Sequence, residues 1–202
     1  MGAINVIQKE TDHIVSRNKI VDAAVKLFSE LGYHRTSMDD IAREANVAKG
    51  TLYYHFSGKG ELFETIVTYG FQLLRDNIEQ VLQADEAPDR QIRKIVHKHV
   101  ELFLQYSELV HIISNELTNG IEPEILERIN RIKQSYIDFL SGIIRQGYED
   151  GALHKMNADL AAAGLIGMIE SASMYAVKRT ETYSAAELHD TINTLVLPAL
   201  LK

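Results

Sequence analysis

The sequence predicts an all-α protein of about nine helices, and three observations carry that prediction. Prolines are confined to Pro88, Pro123 and Pro198, which leaves long stretches uninterrupted by a helix breaker. Few of the 12 glycines sit beside Asn or Asp, so the turn signals of β-hairpins are missing. Apolar residues recur at helical spacing from Arg17 almost to the C-terminus. The composition, 46% hydrophobic and 24% charged, is that of a globular chain rather than a disordered one. The lack of cysteine excludes disulfides, thiolate metal sites and cysteine nucleophiles. Charge-free runs such as Leu160–Ile169 and Thr191–Leu201 fall short of the roughly 18 residues that a membrane span needs. The mixed stretch from Ile4 to His13 has no signal-peptide character. A cytoplasmic protein with no membrane partner is the expectation.

The elements follow in order. Residues 1–15 show no clear period and read as an arm. Ile20, Ala24, Leu27, Phe28 and Leu31 then form one apolar stripe, which Gly32 ends as a C-cap. Ser37 and Asp40 make an S-x-x-D capping signal for a short second helix that buries Met38, Ile41, Ala42 and Ala45. Asn46, tolerant of the left-handed conformation, stands at the turn. A very short third helix runs about 49–56 with Leu52 and Phe56 inward, and Ser57–Gly58 break it. A long helix spans about 59–82. Beyond the loop at 84–88, further helices are predicted over about 89–106, 108–118, 122–149, 157–180 and 184–201. Asn157 caps the fourth of these, Ser184-x-x-Glu187 caps the last, and Pro198 is expected to kink or end it.

Charge is unevenly spread. Residues 1–60 hold 8 Lys/Arg against 7 Asp/Glu, whereas residues 61–202 hold 13 against 21, giving a net charge of −7. A near-neutral head on an acidic body suits nucleic acid that touches only the head. Helix, tight turn and short helix is the arithmetic of a helix-turn-helix. With Leu52 and Phe56 inward, Lys49, Thr51, Tyr53, Tyr54 and His55 are left for the outside. Lys49 and Thr51 are typed for base edges, Gly50 for close backbone approach, and Tyr53, Tyr54, His55 and Lys59 for phosphate oxygens.

The stretch Lys19–Leu62 closely resembles the DNA-binding domain of TetR-type transcriptional regulators. The landmarks are A-x-x-L-F-x-x-x-G-Y, then T-S-x-x-x-I-A, then K-G-T-L-Y-Y-H-F, and a lysine before E-L. The resemblance implies an N-terminal three-helix DNA-binding domain over 1–58 and a helical ligand-binding and dimerisation domain over 59–202. It further implies a homodimer bound to a palindromic double-stranded operator, acting as a repressor and released by a small hydrophobic effector. The DNA contacts implied are Thr36, Ser37, Lys49, Gly50, Thr51, Tyr53, Tyr54, His55 and Lys59. Two positions depart from the family pattern: Asn46 replaces a frequent glycine, and Ala48 replaces a frequent serine that would cap the third helix.

The body resembles the family in layout alone, and that layout is similar to members that sense fatty acyl compounds. Its last two helices are the expected dimer interface, with Leu160, Gly164, Gly167 and Ser171 on one and Ile192, Leu195, Val196 and Leu200 on the other. Candidate effector contacts are His99, Phe103, Tyr106, Ile113, Glu116, Tyr136, Phe139, Met168, Met174 and Tyr175, most of which serve equally well as ordinary core, while Glu116 suits a cation or solvent. No metal, cofactor or enzymatic activity is expected, since no H-E-x-x-H, G-x-S-x-G or P-loop pattern occurs and His97 and His99 point to different helix faces. The competing reading is a dimeric helical ligand-binding or interaction module without DNA binding.

Overall fold

The computed structural model describes residues 2–82, 86–107, 121–177, 179 and 183–202, with side chains from residue 14 onward. Among these residues there are eight helices: α1 (Gly2–Leu31), α2 (Met38–Glu44), α3 (Lys49–His55), α4 (Lys59–Val81), α5 (Pro88–Gln105), α6 (Pro123–Glu149), α7 (Ala158–Val177) and α8 (Ala185–Leu200). The expected helix at 108–118, with Ile113 and Glu116, lies outside the described residues. The expected arm is helical: α1 starts at Gly2, so the N-terminal residues continue its rod.

Two compact units divide the chain, and the division falls inside α4 rather than at residue 58. The first comprises residues 2–68 together with 121–129. Ile20, Ala24 and Phe28 of α1, Ile41 of α2, Leu52 of α3 and Phe63 of α4 are almost wholly removed from solvent here. At the centre the Phe28 ring lies 5.5 Å from Tyr33 and 6.0 Å from Phe63, in tilted and edge-on arrangements that aromatic quadrupoles favour. Gly32, at φ +84°, turns the chain off α1 while its N–H bonds to the Phe28 carbonyl. Ser37 and Asp40 form the expected capping box. Asn46 adopts φ +53°, the left-handed turn assigned to it from sequence.

The beginning of α6 is built into this unit. The Tyr33 hydroxyl donates to the Glu122 carboxylate at 3.0 Å, and Arg128 of α6 pairs with Glu64 of α4 at 2.7 Å. Burial and the Glu122 charge together raise the Tyr33 phenol well above its usual range.

Helix α3 begins at Ala48, whose extended conformation (φ −65°, ψ 144°) is that of an N-cap, yet no side chain caps the helix. A serine there would accept a bond from an orphan N–H without changing the backbone. Ala48→Ser is therefore expected to stabilise the unit by about 0.5–1 kcal/mol, read as an upward shift of the urea midpoint.

The second unit comprises residues 69–107 and 130–202 among those described. Helix α5 packs on both α7 and α8. With α6 they share a core that includes Ile92, Val96, Leu140, Ala162, Ile169 and Ile192. Helix α6 ends at Glu149, and just beyond it Gly151 (φ +80°) turns the chain while the Ala152 N–H reaches back to the Gly147 carbonyl. Asn157 and Ser184 cap α7 and α8 as expected. Pro198 lies within α8, which continues to Leu200 instead of ending there. Helix α7 is long and apolar enough by composition to cross a membrane, although a third of the relevant stretch is buried within the protein.

Candidate nucleic-acid interface

Helix α3 has one inward and one outward side. Leu52 is fully buried and anchors the helix, while Tyr53 and Tyr54 remain 46% and 75% exposed. Lys49 and Gly50 are exposed and Thr51 is half-buried. A Cβ at Gly50 would meet nothing within 4 Å, so no internal crowding demands glycine there; the bare backbone faces outward. Lys49, at the first position of α3, pairs with Asp39 of α2 at 2.8 Å, and that pairing raises its ammonium pKa.

Three residues expected to touch DNA have bonds within the unit. Thr36 is only 1% exposed, and its hydroxyl faces the Leu27 carbonyl at 3.2 Å and the Gly32 carbonyl at 2.9 Å. It pins the α1–α2 turn, and its candidacy as a DNA contact is corrected on that ground. The Lys59 ammonium donates to the carbonyls of Tyr33 at 2.7 Å and Thr36 at 3.0 Å, and lies 4.3 Å from the Tyr33 ring centroid. Carbonyl oxygens and a π face together hold a cation well, so Lys59 locks the same turn onto α4. His55 is half-buried, with Nε2 at 2.8 Å from the Ser16 hydroxyl, which ties α3 to α1. Ser37 is exposed and already engaged as the α2 cap.

Sequence reasoning missed His34, Arg35 and Asp39. They border an open cleft of about 440 Å³ shared with Ser37, Lys49, Tyr53 and Lys59. The signal was the basic pair His34–Arg35 within the α1–α2 turn. Arg35 uses Nε to reach the Leu31 carbonyl at 2.6 Å, which leaves the rest of its guanidinium at an exposed position.

The second unit gathers some of the effector candidates and disperses others. His99 is fully buried, with Nδ1 3.0 Å from the Ile95 carbonyl and Nε2 2.6 Å from the Tyr136 hydroxyl. A carbonyl only accepts, so Nδ1 carries the proton, and the Tyr136 hydroxyl donates to Nε2. The Phe71 and Phe139 rings lie 5.6 and 6.1 Å from Tyr136, and Phe103 lies 6.5 Å from His99. Tyr106 caps the C-terminus of α5, and Met174 is half-buried. Met168 and Tyr175, by contrast, lie on the exposed side of α7. They line a shallow cleft of about 500 Å³ with Tyr183 and Glu187, so their assignment to an interior pocket is corrected.

Burial moves the His99 imidazole down from 6.5 to about 4. The unfolded chain therefore binds more protons than the folded one across that window. The stabilisation conferred by a neutral His99 is complete above pH 6.5 and is lost as pH falls toward 4. Its loss amounts to about 3 kcal/mol. His99→Leu is expected to flatten this part of the pH–stability curve, as measured by urea unfolding at pH 4.5 and 7.5.

The dimer candidates divide in the same way. Leu160 (72% exposed), Leu195 (57% exposed), Gly164, Gly167 and Ser171 face outward. Ile192, Val196 and Leu200 fill the chain's own core and are withdrawn as interface residues. His97 stacks on His189 of α8 at 4.3 Å, and among the described residues no three His, Asp or Glu side chains converge as a metal site.

The profile described as "Bacterial regulatory proteins, tetR family" matches residues 20–66, and that described as "Tetracyclin repressor-like, C-terminal domain" matches 85–174. The uncharacterised HTH-type transcriptional regulator YhgD of Bacillus subtilis (strain 168) is 31% identical over 159 residues, covering 73% of this chain and 78% of that relative. The structure of FadR from Bacillus subtilis in complex with stearoyl-CoA superposes with a TM-score of 0.80 at 24% identity, covering 90% of this chain and 97% of that one. That of AibR in complex with isovaleryl coenzyme A and operator DNA gives 0.74 at 24% identity, covering 91% and 98%. At such identities the two superpositions establish a shared fold. The two profiles, falling in the order of the two units, and the YhgD likeness go further: this chain belongs to the TetR family of bacterial regulatory proteins.

Proposed function

We propose that the protein is a cytoplasmic, homodimeric transcriptional repressor that binds a palindromic operator and releases it on binding an acyl-coenzyme A. The observation that carries the reading is α3: fixed inward by Leu52, it offers Lys49, Gly50, Tyr53 and Tyr54 to the outside. Lys49, with Thr51 beside it, meets base edges; Tyr53, Tyr54 and Ser37 meet phosphates. Thr36, His55 and Lys59 act one step back, by holding the turn and helix in place. The outward strip of Leu160, Gly164, Gly167, Ser171 and Leu195 supports pairing with a second copy about a two-fold axis, which would double the readout over two half-sites.

The effector class is supported by the two superposed proteins, whose structures carry stearoyl-CoA and isovaleryl coenzyme A. An apolar interior around the His99–Tyr136 pair suits an acyl chain better than a charged ligand. Release follows if the ligand favours a dimer whose heads no longer match the roughly 34–36 Å groove repeat. The test is capture of genomic fragments by the full-length protein, sequencing, and titration of the captured duplex with acyl-CoAs of increasing chain length. A shared palindrome, displaced by acyl-CoA and not by free coenzyme A, is expected. Absence of any enriched sequence, with salt-independent negligible affinity, would identify the module that does not bind DNA.

A further inference from the structure

Asp39 has no internal task that its neighbour Asp40 does not already perform. Asp40 closes the capping box with Ser37 and pairs with Arg43. Asp39 is exposed, borders the cleft beside the reading helix, and directs its carboxylate at Lys49: Oδ1 lies 2.8 Å and Oδ2 3.0 Å from the ammonium nitrogen. An acid at a surface meant for a polyanion weakens binding to every duplex unless it does something else. The pairing geometry indicates what that is.

We propose that Asp39 is a specificity-determining residue, which turns Lys49 from a general phosphate contact into an oriented reader of one base. The proposal rests on the DNA-binding reading above. A lysine ammonium has three N–H donors and no acceptor. With both oxygens of Asp39 within 3.0 Å of Nζ, the ammonium is tethered beside the carboxylate and its remaining N–H donors point away from it. A mobile lysine takes whichever phosphate is nearest, on any sequence. A lysine tethered at the start of α3 rewards only a duplex that places an acceptor at that one point, and in the major groove the O6 and N7 edge of guanine is the strongest such acceptor. The carboxylate also discourages Lys49 from phosphates by competing for it. Asp39 thereby lowers affinity for random DNA more than affinity for the operator.

The experiment compares wild type, Asp39→Asn, Asp39→Glu and Lys49→Ala on two duplexes between 50 and 200 mM salt. One carries the palindrome enriched from genomic fragments; the other is a scrambled duplex of equal length and composition. Asp39→Asn is expected to tighten scrambled-duplex binding about five- to tenfold and to steepen its salt dependence as Lys49 joins the phosphate contacts. The operator preference falls by a similar factor, and discrimination flattens at one guanine per half-site. Asp39→Glu keeps the wild-type preference to within about twofold, and in a Lys49→Ala background Asp39→Asn no longer alters it. An operator preference left unchanged by Asp39→Asn, or lost equally in the Lys49→Ala background, overturns the proposal while leaving operator binding intact. A wild-type protein that prefers no sequence overturns instead the function on which it rests.

Discussion

Lys49→Ala combined with Tyr54→Ala is expected to reduce operator affinity by at least about a hundredfold, with the unfolding midpoint unchanged. Both side chains lie on the exposed side of α3, and neither packs into the core that holds the helix. In the proposed homodimer each substitution acts twice. A base-edge contact is worth about 1–3 kcal/mol, and the neutral Tyr54 contact adds to it without altering the salt slope, which follows the cationic contacts. A mid-range base-edge contact of about 2 kcal/mol, lost from both heads, already exceeds the roughly 2.7 kcal/mol that a hundredfold change represents. Fluorescence anisotropy on the operator duplex at several salt concentrations, paired with a urea melt, separates the contact loss from any loss of structure. Affinity unchanged within a factor of three would remove α3 from the interface.

The largest expected effect on stability comes from the opposite side of the same domain. Phe28 is 1% exposed and touches the rings of both Tyr33 and Phe63. Phe28→Ala leaves a ring-sized void among rigid neighbours, with an expected cost of about 3–5 kcal/mol. Against the 5–15 kcal/mol that typically holds a domain folded, such a loss removes much of the margin. Because the chain forms two compact units, the defect should appear as an early loss of helical signal in urea, with the remainder unfolding at the wild-type midpoint. A single transition at the wild-type midpoint would show that the aromatic cluster is not the keystone of the head.

Local signals make the head legible in the sequence. Gly32, the Ser37–Asp40 box and Asn46 each satisfy a need within four residues along the chain, and all three behave as their chemistry dictates. Thr36 and Lys59 are typed for phosphate oxygens, yet in the structure their side chains answer to distant carbonyls: Thr36 to Leu27, Lys59 to Tyr33 and Thr36. Residue type marks such groups as suited to phosphate or to backbone oxygen, and only tertiary structure decides between the two. Periodicity had the same blind spot in α8. Ile192 and Val196 lie four apart and Leu195 is adjacent, so the stripe is evident, but nothing in the spacing says that Leu195 faces outward while its neighbours enter the core. The His99–Tyr136 pair joins residues 37 apart, and no local pattern foretells it.

The bonds from Tyr33 to Glu122 and from Glu64 to Arg128 make the DNA-reading unit discontinuous along the gene product. An N-terminal fragment cut within α4 would present the Tyr33 hydroxyl and the Glu64 carboxylate to water in place of their partners, and would strip Ile125 from its seat against Gly60. Anyone grafting this operator preference onto another regulator should therefore transplant residues 121–129 along with the first 68. A chimera joined at the conventional seam would inherit the letters of the recognition helix and lose the clamp that aims it.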